Sequence, residues 1–305
     1  MTVLAHLSDV HLFALDQLAA RRLLNKRFTG WVNIKLHRGV AHQAAVAETV
    51  AREVRRLDVD HVVITGDVTG LALEEEFERV QVYLRQALAL SADRVSMVPG
   101  NHDTYTRGAY RERRFEGHFG EHITSDLPGA SGVPGLDRYP YVRLRGPLAI
   151  IGLSTAVPRP PLCASGRLGK PQRMALHSLL SHEQVRSRLP VILQHHPWHN
   201  PSSAAKTALE GLVDAAAEGR VLDQLERGLL LHGHLHRRIH RRLPTRHGHL
   251  EAVGATSASL QHDDPARMAG VNLYEIDGAG EVTRIESLRL DTRADRLVPT
   301  ELPKA

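Results

Sequence analysis

Short apolar runs rich in β-branched residues alternate with amphipathic segments over most of the chain. A short apolar run bounded by turn residues is typical of a buried strand. Such runs predict strands at residues 3–7, 61–65, 95–98, 148–153, 191–193 and 229–231. Apolar side chains recur at intervals of three or four over 46–57 and 77–88, and this spacing predicts helices between the early strands.

The pattern changes after residue 231. Short extended segments at 239–243, 250–253, 271–276 and 282–287, joined by turn signals such as Asp277-Gly278, predict an antiparallel sheet. All the elements together predict an α/β fold, a four-layer α/β/β/α sandwich of two mixed sheets with flanking helices. We predict one domain over residues 1–290 and a peripheral C-terminal tail at 291–305.

The composition, with 42% hydrophobic and 24% charged residues in 305, is that of a globular protein. No apolar run reaches the length of about 18 residues that a spanning helix needs, and residues 1–10 lack the pattern of a signal peptide. The single cysteine, Cys163, cannot form an intrachain disulfide, which fits a reducing compartment. We therefore expect a cytoplasmic protein.

The net charge of +5 is concentrated in one segment near the N-terminus. Between Gln17 and Ala47 there are six Lys or Arg and no Asp or Glu, whereas acidic residues outnumber basic ones by one elsewhere. This predicts a basic amphipathic insertion at about 17–40, either a cap on the body or a contact with an anionic amphiphile, which would make the protein peripheral to a membrane. A nucleic-acid surface would spread further, so nucleic acid is not expected as a partner. The oligomeric state stays open.

Polar clusters of metal-ligand type follow five of the predicted strands. These clusters are Asp9-Val10-His11, Gly66-Asp67, Gly100-Asn101-His102-Asp103, His195-His196-Pro197 and Gly233-His234-Leu235-His236. The carboxyl ends of strands line the ligand crevice of open α/β sheets, so the five clusters are predicted to converge. Residues two apart in an extended segment face the same way, and the glycines allow sharp turns before the ligands. Each cluster alone is weak evidence, but the five in this order predict one metal site.

The order of these clusters resembles the pattern of the calcineurin-like metallophosphoesterase superfamily. A finer resemblance links the chain to its cyclic-nucleotide and glycerophosphodiester phosphodiesterase branch, through segments 5–9, 98–103, 195–197 and 166–168 followed by a helix with Gln172. Trp198 stands where that branch commonly has a second proline. The resemblance implies the calcineurin-like phosphoesterase fold and a dinuclear metal centre.

Carried over by position, the resemblance implies a ligand set for each of two divalent metals. The first metal is assigned Asp9, His11, Asp67 and His236. The second shares the bridging Asp67 and adds Asn101, His195 and His234, with His195 favoured over His196. Carboxylate, amide and imidazole ligands without thiolate suit Mn, Fe or Zn, and the identity of the metal stays open.

The charges of this site favour phosphate chemistry. Two divalent cations and the carboxylates of Asp9 and Asp67 leave a net charge of about +2, which attracts a phosphodiester anion and lowers the pKa of a bridging water. A metal-bridging hydroxide is then the expected nucleophile. His102, next to Asn101, is predicted to contact the phosphoryl oxygen or protonate the leaving group, with Asp103 orienting it.

The prediction is a metal-dependent hydrolase of phosphodiester or pyrophosphate bonds, a phosphodiesterase acting on a small-molecule or lipid-like phosphoester. The alternatives are a phosphomonoesterase, or a lipid-linked nucleotide pyrophosphohydrolase. A nuclease is less favoured, because residues 237–305 are too few for a DNA-capping domain. A non-catalytic scaffold is less favoured because no ligand is missing. The remaining histidines, including His42, are interpreted as structural or exposed.

Overall fold

The computed structural model describes residues 1–14, 27, 31, 41–127, 138–199 and 203–304. The basic insertion predicted at about 17–40 therefore lies outside the described residues, apart from Arg27 and Trp31. Most of the glycine- and proline-rich segment at 127–139 lies outside them as well.

The first sheet has six strands in the order β12-β11-β10-β1-β2-β3. Its strands are β1 (Thr2–Leu7), β2 (His61–Ile64), β3 (Val95–Met97), β10 (Gly270–Ile276), β11 (Val282–Asp291) and β12 (Arg296–Thr300). The ladders β1–β2 and β2–β3 are parallel, whereas β10, β11 and β12 pair in antiparallel fashion. The sheet is therefore mixed, and the carboxyl ends of β1, β2 and β3 share one edge.

The second sheet also has six strands, in the order β4-β5-β6-β7-β9-β8. They are β4 (Tyr141–Arg145), β5 (Leu148–Gly152), β6 (Leu189–Leu193), β7 (Leu229–His232), β8 (Ile239–Pro244) and β9 (His249–Gly254). Strands β5, β6, β7 and β9 run parallel, and β4 and β8 are antiparallel edge strands. The second sheet is mixed as well.

Helices cover the outer faces of the sheets. They are α1 (Ala44–Arg56), α2 (Glu74–Tyr83), α3 (Arg107–Arg111), α4 (Arg114–Phe119), α5 (Lys170–Leu180), α6 (Glu183–Arg186), α7 (Ala204–Glu210) and α8 (Ala215–Leu222), with a π-helical turn at Leu84–Leu88 and 3₁₀ turns at Ala92–Arg94 and Gly120–His122. Helix α1 buries Val46, Val50 and Val54 along one stripe, and basic residues in its last turn complement the helix dipole.

Successive side chains of each strand point to opposite faces of the sheet, and this alternation divides the core into two apolar clusters. Ile150 and Val191 belong to a cluster that joins the second sheet to the first sheet and to α1 and α2. Their neighbours Ile151 and Ile192 face the other way, into a cluster with Leu176 of α5 and residues of α8. Two sheets therefore pack face to face with helices outside, which confirms the predicted four-layer sandwich of two mixed sheets.

The predicted strands agree with the observed ones to within a few residues at each end. The four late segments, however, do not form one antiparallel sheet: β8 and β9 belong to the second sheet, and β10 and β11 to the first. Strand β4 was not predicted, because the charged Arg143 interrupts the apolar pattern expected of a buried strand. In the structure this side chain is nevertheless buried and donates to the carbonyls of Ala92 and Val95. The domain limits stay a prediction, and Arg296–Thr300 of the predicted tail forms the edge strand β12. Among the described residues no helix combines the length and apolar character of a membrane span.

Glu218 of α8 generates a prediction about pH and stability. Its side chain is buried, its Oε1 has no hydrogen-bond partner among the described residues, and burial raises the pKa of the carboxyl to about 8. Above the ordinary pKa of a glutamate, the unfolded chain loses this proton whereas the folded chain keeps it. The free energy of unfolding therefore decreases as the pH rises toward about 8. In Glu218→Gln the free energy of unfolding should fall less between about pH 6 and pH 8, by up to about 1.4 kcal/mol per pH unit.

Urea unfolding at the two pH values measures this difference. Glu183→Gln, at an exposed position of α6, is the matched control and should keep the pH dependence of the wild type. Parallel stability curves for the wild type and Glu218→Gln would contradict the assignment.

Candidate metal centre

The five polar clusters meet where the carboxyl ends of the two sheets face each other. The backbone amide of Asp9 donates to the Gly66 carbonyl at 2.9 Å, and that of Gly233 donates to the His195 carbonyl at 3.1 Å. The two sheets are joined directly, because the amide of His234 donates to Asp9 Oδ2 at 3.1 Å. Neighbouring strand ends are thus fixed together, and their side chains point into one cleft.

Backbone strain is concentrated in this cleft. Five of the seven predicted ligands adopt a left-handed conformation, with φ between 45° and 70°: Asp9, His11, Asp67, His234 and His236. Each such residue costs about 1 kcal/mol or more relative to its ordinary conformation. A group of strained residues that converge on one point is typical of a functional site rather than of a structural turn.

Two glycines allow the strand ends to approach this closely. A Cβ on Gly233 would lie 1.9 Å from Ser8 Oγ and 2.4 Å from Asp9 Oδ2. Gly66 has a φ of +87°, and a Cβ there would lie 2.5 Å from the Gly100 amide nitrogen. Any side chain at these positions would force the ligand-bearing loops apart.

Besides the shared Asp67, the first set of predicted ligands consists of Asp9, His11 and His236. His236 Nε2 lies 3.0 Å from Asp9 Oδ1 and 3.3 Å from His11 Nε2. His11 Nδ1 lies 3.1 Å from the Thr69 carbonyl, to which it donates, so its Nε2 carries a lone pair directed into the cleft. Asp9 Oδ1 is buried and faces the ring nitrogens of His236 and His11, at 3.0 Å and 3.8 Å.

The second set consists of Asp67, Asn101, His195 and His234. His195 Nε2 lies 3.2 Å from Asp67 Oδ2, 3.1 Å from Asn101 Oδ1 and 3.3 Å from His234 Nδ1. Carbonyls again fix the tautomers: His195 Nδ1 donates to Thr65 at 2.8 Å, and His234 Nε2 donates to Glu210 at 2.7 Å. When the two rings are neutral, both inward nitrogens therefore carry lone pairs.

The donor set fits two cations. Ligand atoms about 2.1 Å from a common ion are about 3.0 to 3.4 Å apart. Five pairs of ligand atoms in the two sets have this spacing, and His11 Nε2 lies 3.8 Å from Asp9 Oδ1. Lone pairs that face one another at these distances repel unless a positive charge lies between them. Burial lowers the pKa of His11 well below its usual value and that of His234 to about 3, so both rings are neutral, as metal ligands must be.

The carboxylates carry negative charge that the protein itself balances only in part. Burial alone would raise the pKa of Asp9, but the neighbouring His236 and His195 more than offset this effect and hold the pKa below its usual value. For His195, burial alone would lower the pKa, but the neighbouring carboxylates of Asp67 and Asp9 more than offset this effect and raise the pKa to about 9. A cation bound at the same place would replace that proton and neutralise the carboxylates.

The two consecutive histidines after β6 differ in their contacts. His196 Nε2 lies 2.8 Å from the Ala164 carbonyl, and its Nδ1 lies 2.8 Å from Thr155 Oγ1. Both of its ring nitrogens are therefore occupied by hydrogen bonds, although His196 is close enough to His195 and His234 to form a candidate cluster. The geometry favours His195 as the ligand and His196 as a support behind it.

His42 is the residue of this cleft that the sequence analysis missed. It is buried, not exposed, and its ring lies 4.8 Å from that of His11 and 5.2 Å from that of His236. The three histidines form a cluster that could hold a metal ion. His42 Nδ1 lies 2.9 Å from Ser259 Oγ, more than two hundred residues away in sequence. No local motif marks this position, so only the tertiary structure reveals it.

His102 and Asp103 lie beside the second ligand set. The His102 amide donates to Asp67 Oδ1 at 2.7 Å, and its Nδ1 lies 2.6 Å from the Gly70 carbonyl, to which it donates. This carbonyl sets the orientation of the ring, a role that the sequence analysis assigned to Asp103. The buried Asp103 accepts from the amides of Thr69 and Gly100 at 2.9 Å and thereby ties two ligand-bearing loops together.

Comparison with known proteins supports the family that the sequence motifs resemble. The profile of the family described as calcineurin-like phosphoesterase matches residues 2–238. No curated protein matches the chain significantly.

Two solved structures share the fold. A purple acid phosphatase from yellow lupin (Lupinus luteus) seeds is 11% identical, with a TM-score of 0.58, and the match covers 99% of this chain. The chain spans only 57% of the length of that protein. A dimetal phosphatase from Danio rerio is 16% identical, with a TM-score of 0.55, and 94% of this chain matches 95% of that one. At these identities the likeness concerns the fold alone.

Asp67 generates a prediction about metal binding. Asp67→Asn removes a negative charge from the centre of the second set, so the purified variant should retain at most one metal equivalent where the wild type retains two. Hydrolytic activity should fall at least about a hundredfold, and a chelator should abolish it in the wild type. Elemental analysis after dialysis measures the stoichiometry.

Asp263→Asn, at an exposed position far along the chain, is the matched control and should bind metal as the wild type does. Full metal content and full turnover in Asp67→Asn would refute the assignment.

Proposed function

The chain belongs to the calcineurin-like phosphoesterase family, and from this premise we propose that it is a dinuclear-metal-dependent hydrolase of phosphodiester or pyrophosphate bonds. The observation that carries the proposal is the cleft itself, where imidazole lone pairs with fixed tautomers surround the buried carboxylates of Asp9 and Asp67. Such a donor set is suited to divalent cations, and a cationic cleft is suited to a phosphate ester.

The proposed first metal is held by Asp9, His11, Asp67 and His236, and the second by Asp67, Asn101, His195 and His234. When bound, two such ions polarise the phosphoryl oxygens and activate water as the nucleophile. The oxygen and nitrogen donors are compatible with Mn, Fe or Zn. His42 is a candidate for contact with the first ion, because it lies in one cluster with His11 and His236.

His102 is proposed to act on the leaving group. Its Nδ1 proton is held by the Gly70 carbonyl, so the opposite nitrogen, Nε2, is the atom that can reach substrate. The partly exposed ring stacks at 5.4 Å on Tyr105, which fixes its plane. In the protonated ring Nε2 can donate a proton to the departing oxygen. Asp103 is a positioning residue, which supports the ligand-bearing loops through Thr69 and Gly100.

A phosphomonoesterase is the second candidate, because both fold neighbours are described as phosphatases. The same metals and the same His102 could serve either reaction, and the loops around the cleft decide which substrate enters.

The third candidate is a lipid-linked nucleotide pyrophosphohydrolase, and it depends on the basic insertion at about 17–40. A nuclease and a non-catalytic scaffold remain the less favoured alternatives.

The proposed contact of residues 21–38 with a membrane or an anionic amphiphile rests on their charge. The two described residues of this segment favour a cap that packs on the body. Arg27 is buried and donates to the Leu71 and Ala72 carbonyls, and Trp31 packs against the core. These contacts are compatible with an amphiphile bound by the rest of the segment.

The proposal predicts a preference among synthetic substrates. With added Mn²⁺ the protein should hydrolyse bis(p-nitrophenyl) phosphate with a higher kcat/KM than p-nitrophenyl phosphate, as the resemblance to the phosphodiesterase branch implies. Release of p-nitrophenolate measures both reactions. A clear preference for the monoester would favour the phosphomonoesterase instead.

His102→Ala tests the role of His102 in leaving-group departure. General acid catalysis contributes roughly a hundredfold to ten-thousandfold in rate, so the variant should lose that much on a diester with an alkoxide leaving group. The loss should be smaller with p-nitrophenolate, which departs with little protonation. His118→Ala, a histidine that stacks on Phe77 outside the cleft, is the control. Equal losses of His102→Ala on both substrates would indicate electrostatic stabilisation without proton donation.

A further inference from the structure

A cationic pocket lies beside the candidate metal centre. Its cavity has a volume of about 570 Å³, within the range of small-molecule sites, and four arginines contribute to its lining. These arginines are Arg27, Arg107, Arg114 and Arg159. The described residues that line the pocket include no carboxylate. The pocket is therefore suited to an anion.

One turn of the backbone connects this pocket to His102. The Gly70 carbonyl accepts the His102 Nδ1 proton at 2.6 Å. The next two carbonyls, of Leu71 and Ala72, accept from the Arg27 guanidinium at 2.9 Å each. The ring of Tyr105, which also lines the pocket, stacks on His102. The pocket therefore begins at Tyr105, whose ring is in contact with that of His102.

The opposite wall is anchored behind the second ligand set. Arg159 donates from Nε to the Ser165 carbonyl at 2.9 Å. The adjacent Ala164 carbonyl accepts from His196, which packs behind His195. One wall of the pocket thus contacts His102 through Tyr105, and the other is anchored to the segment that supports His196.

Two arginines of this pocket meet at one backbone carbonyl. Arg27 Nη2 and Arg114 Nη1 each donate to the same oxygen, the Ala72 carbonyl, at 2.9 Å. Arg114 is also paired with Glu74 at 2.9 Å and with Glu112 at 2.6 Å. Arg107 is exposed and Arg159 is half-buried. The carboxylates of Glu74 and Glu112 balance the charge of Arg114, so an anion in the pocket would be held mainly by Arg107 and Arg159.

We propose that this pocket binds a second phosphate of the substrate, on the leaving-group side, so that the natural substrate is a pyrophosphate diester rather than a simple phosphodiester. This inference rests on the proposed hydrolase function. In the reaction, the oxygen of water bonds to one phosphorus, and the bond from that phosphorus to the bridging oxygen breaks. The bridging oxygen leaves with the electron pair as part of the second phosphate, and a proton of water is released. The arginines stabilise the negative charge that develops on the departing phosphate.

The experiment compares two substrates in variants of the pocket. Arg107→Gln and Arg159→Gln replace arginines that are not fully buried, and Arg186→Gln, an exposed arginine of α6, is the matched control. The substrates are diadenosine diphosphate, a pyrophosphate diester, and bis(p-nitrophenyl) phosphate, which has no second phosphate. CDP-diacylglycerol in detergent distinguishes a lipid-linked pyrophosphate from a nucleotide one.

We expect each pocket variant to lose roughly tenfold or more in kcat/KM on the pyrophosphate diesters, because charge-assisted hydrogen bonds are lost. Activity on bis(p-nitrophenyl) phosphate should change less than about threefold. Equal effects on both classes of substrate, or no effect on either, would overturn the subsite while leaving the hydrolase function intact.

A binding measurement separates failure of the subsite from failure of the hydrolase proposal. The non-hydrolysable α,β-methylene-ADP should bind the wild type at least about tenfold more tightly than AMP, and the pocket variants should lose this difference. If the wild type hydrolyses no substrate, the hydrolase proposal fails, and this measurement alone decides the subsite. Equal affinity of the wild type for the two ligands would overturn it.

Discussion

The burial of two carboxylates at the junction of the sheets is the constraint on which the rest of the cleft depends. Asp9 and Asp67 are almost fully excluded from water, where an unpaired negative charge is strongly disfavoured. The surrounding structure compensates with imidazoles, backbone amides and the Ser8 hydroxyl, which donates to Asp9 Oδ2 at 2.6 Å. Asp9 Oδ1 faces the inward ring nitrogens of His236 and His11. Cations bound between the carboxylates and the inward imidazole nitrogens would complete this compensation, so the site is organised for metal before substrate arrives.

This constraint explains why the strand ends are bent and why small residues precede the ligands. The left-handed backbone at Asp67 brings its carboxylate over the next strand end. This approach requires glycine at position 100, because a Cβ there would lie 2.1 Å from Asp67 Oδ1. Such conformations lower stability, and they persist because the large core beneath them over-determines the positions of the strands. The sandwich therefore supplies rigidity, and the strained loops at its edge hold the chemistry.

Local patterns revealed the elements whose signal is local, and tertiary structure was needed for the others. The ligands after the early strands could be predicted because an apolar run, a glycine and a polar pair are adjacent in sequence. His42 could not, because its context is formed by Ser257 and Ser259, far along the chain. The division of the late strands between two sheets was missed for a related reason, since hairpin signals indicate neighbours but not the sheet to which they belong. The arginine pocket is likewise assembled from distant segments, and no spacing in the sequence connects Arg27 with Arg159.

The turn at residues 70–73 links the metal centre to the arginine pocket. Its amides at Gly70, Leu71 and Leu73 lie within 3.3 Å of Glu76 Oε2, to which they donate. Burial raises the pKa of Glu76 to about 7, although these amides and the nearby Arg27 oppose the rise. The carbonyls of the same turn hold His102 on one side and Arg27 on the other. A shift of this turn would therefore move the residue proposed to act on the leaving group together with the cations proposed to bind it. The proposed reaction and the proposed substrate selection would thus both depend on the backbone of residues 70–73.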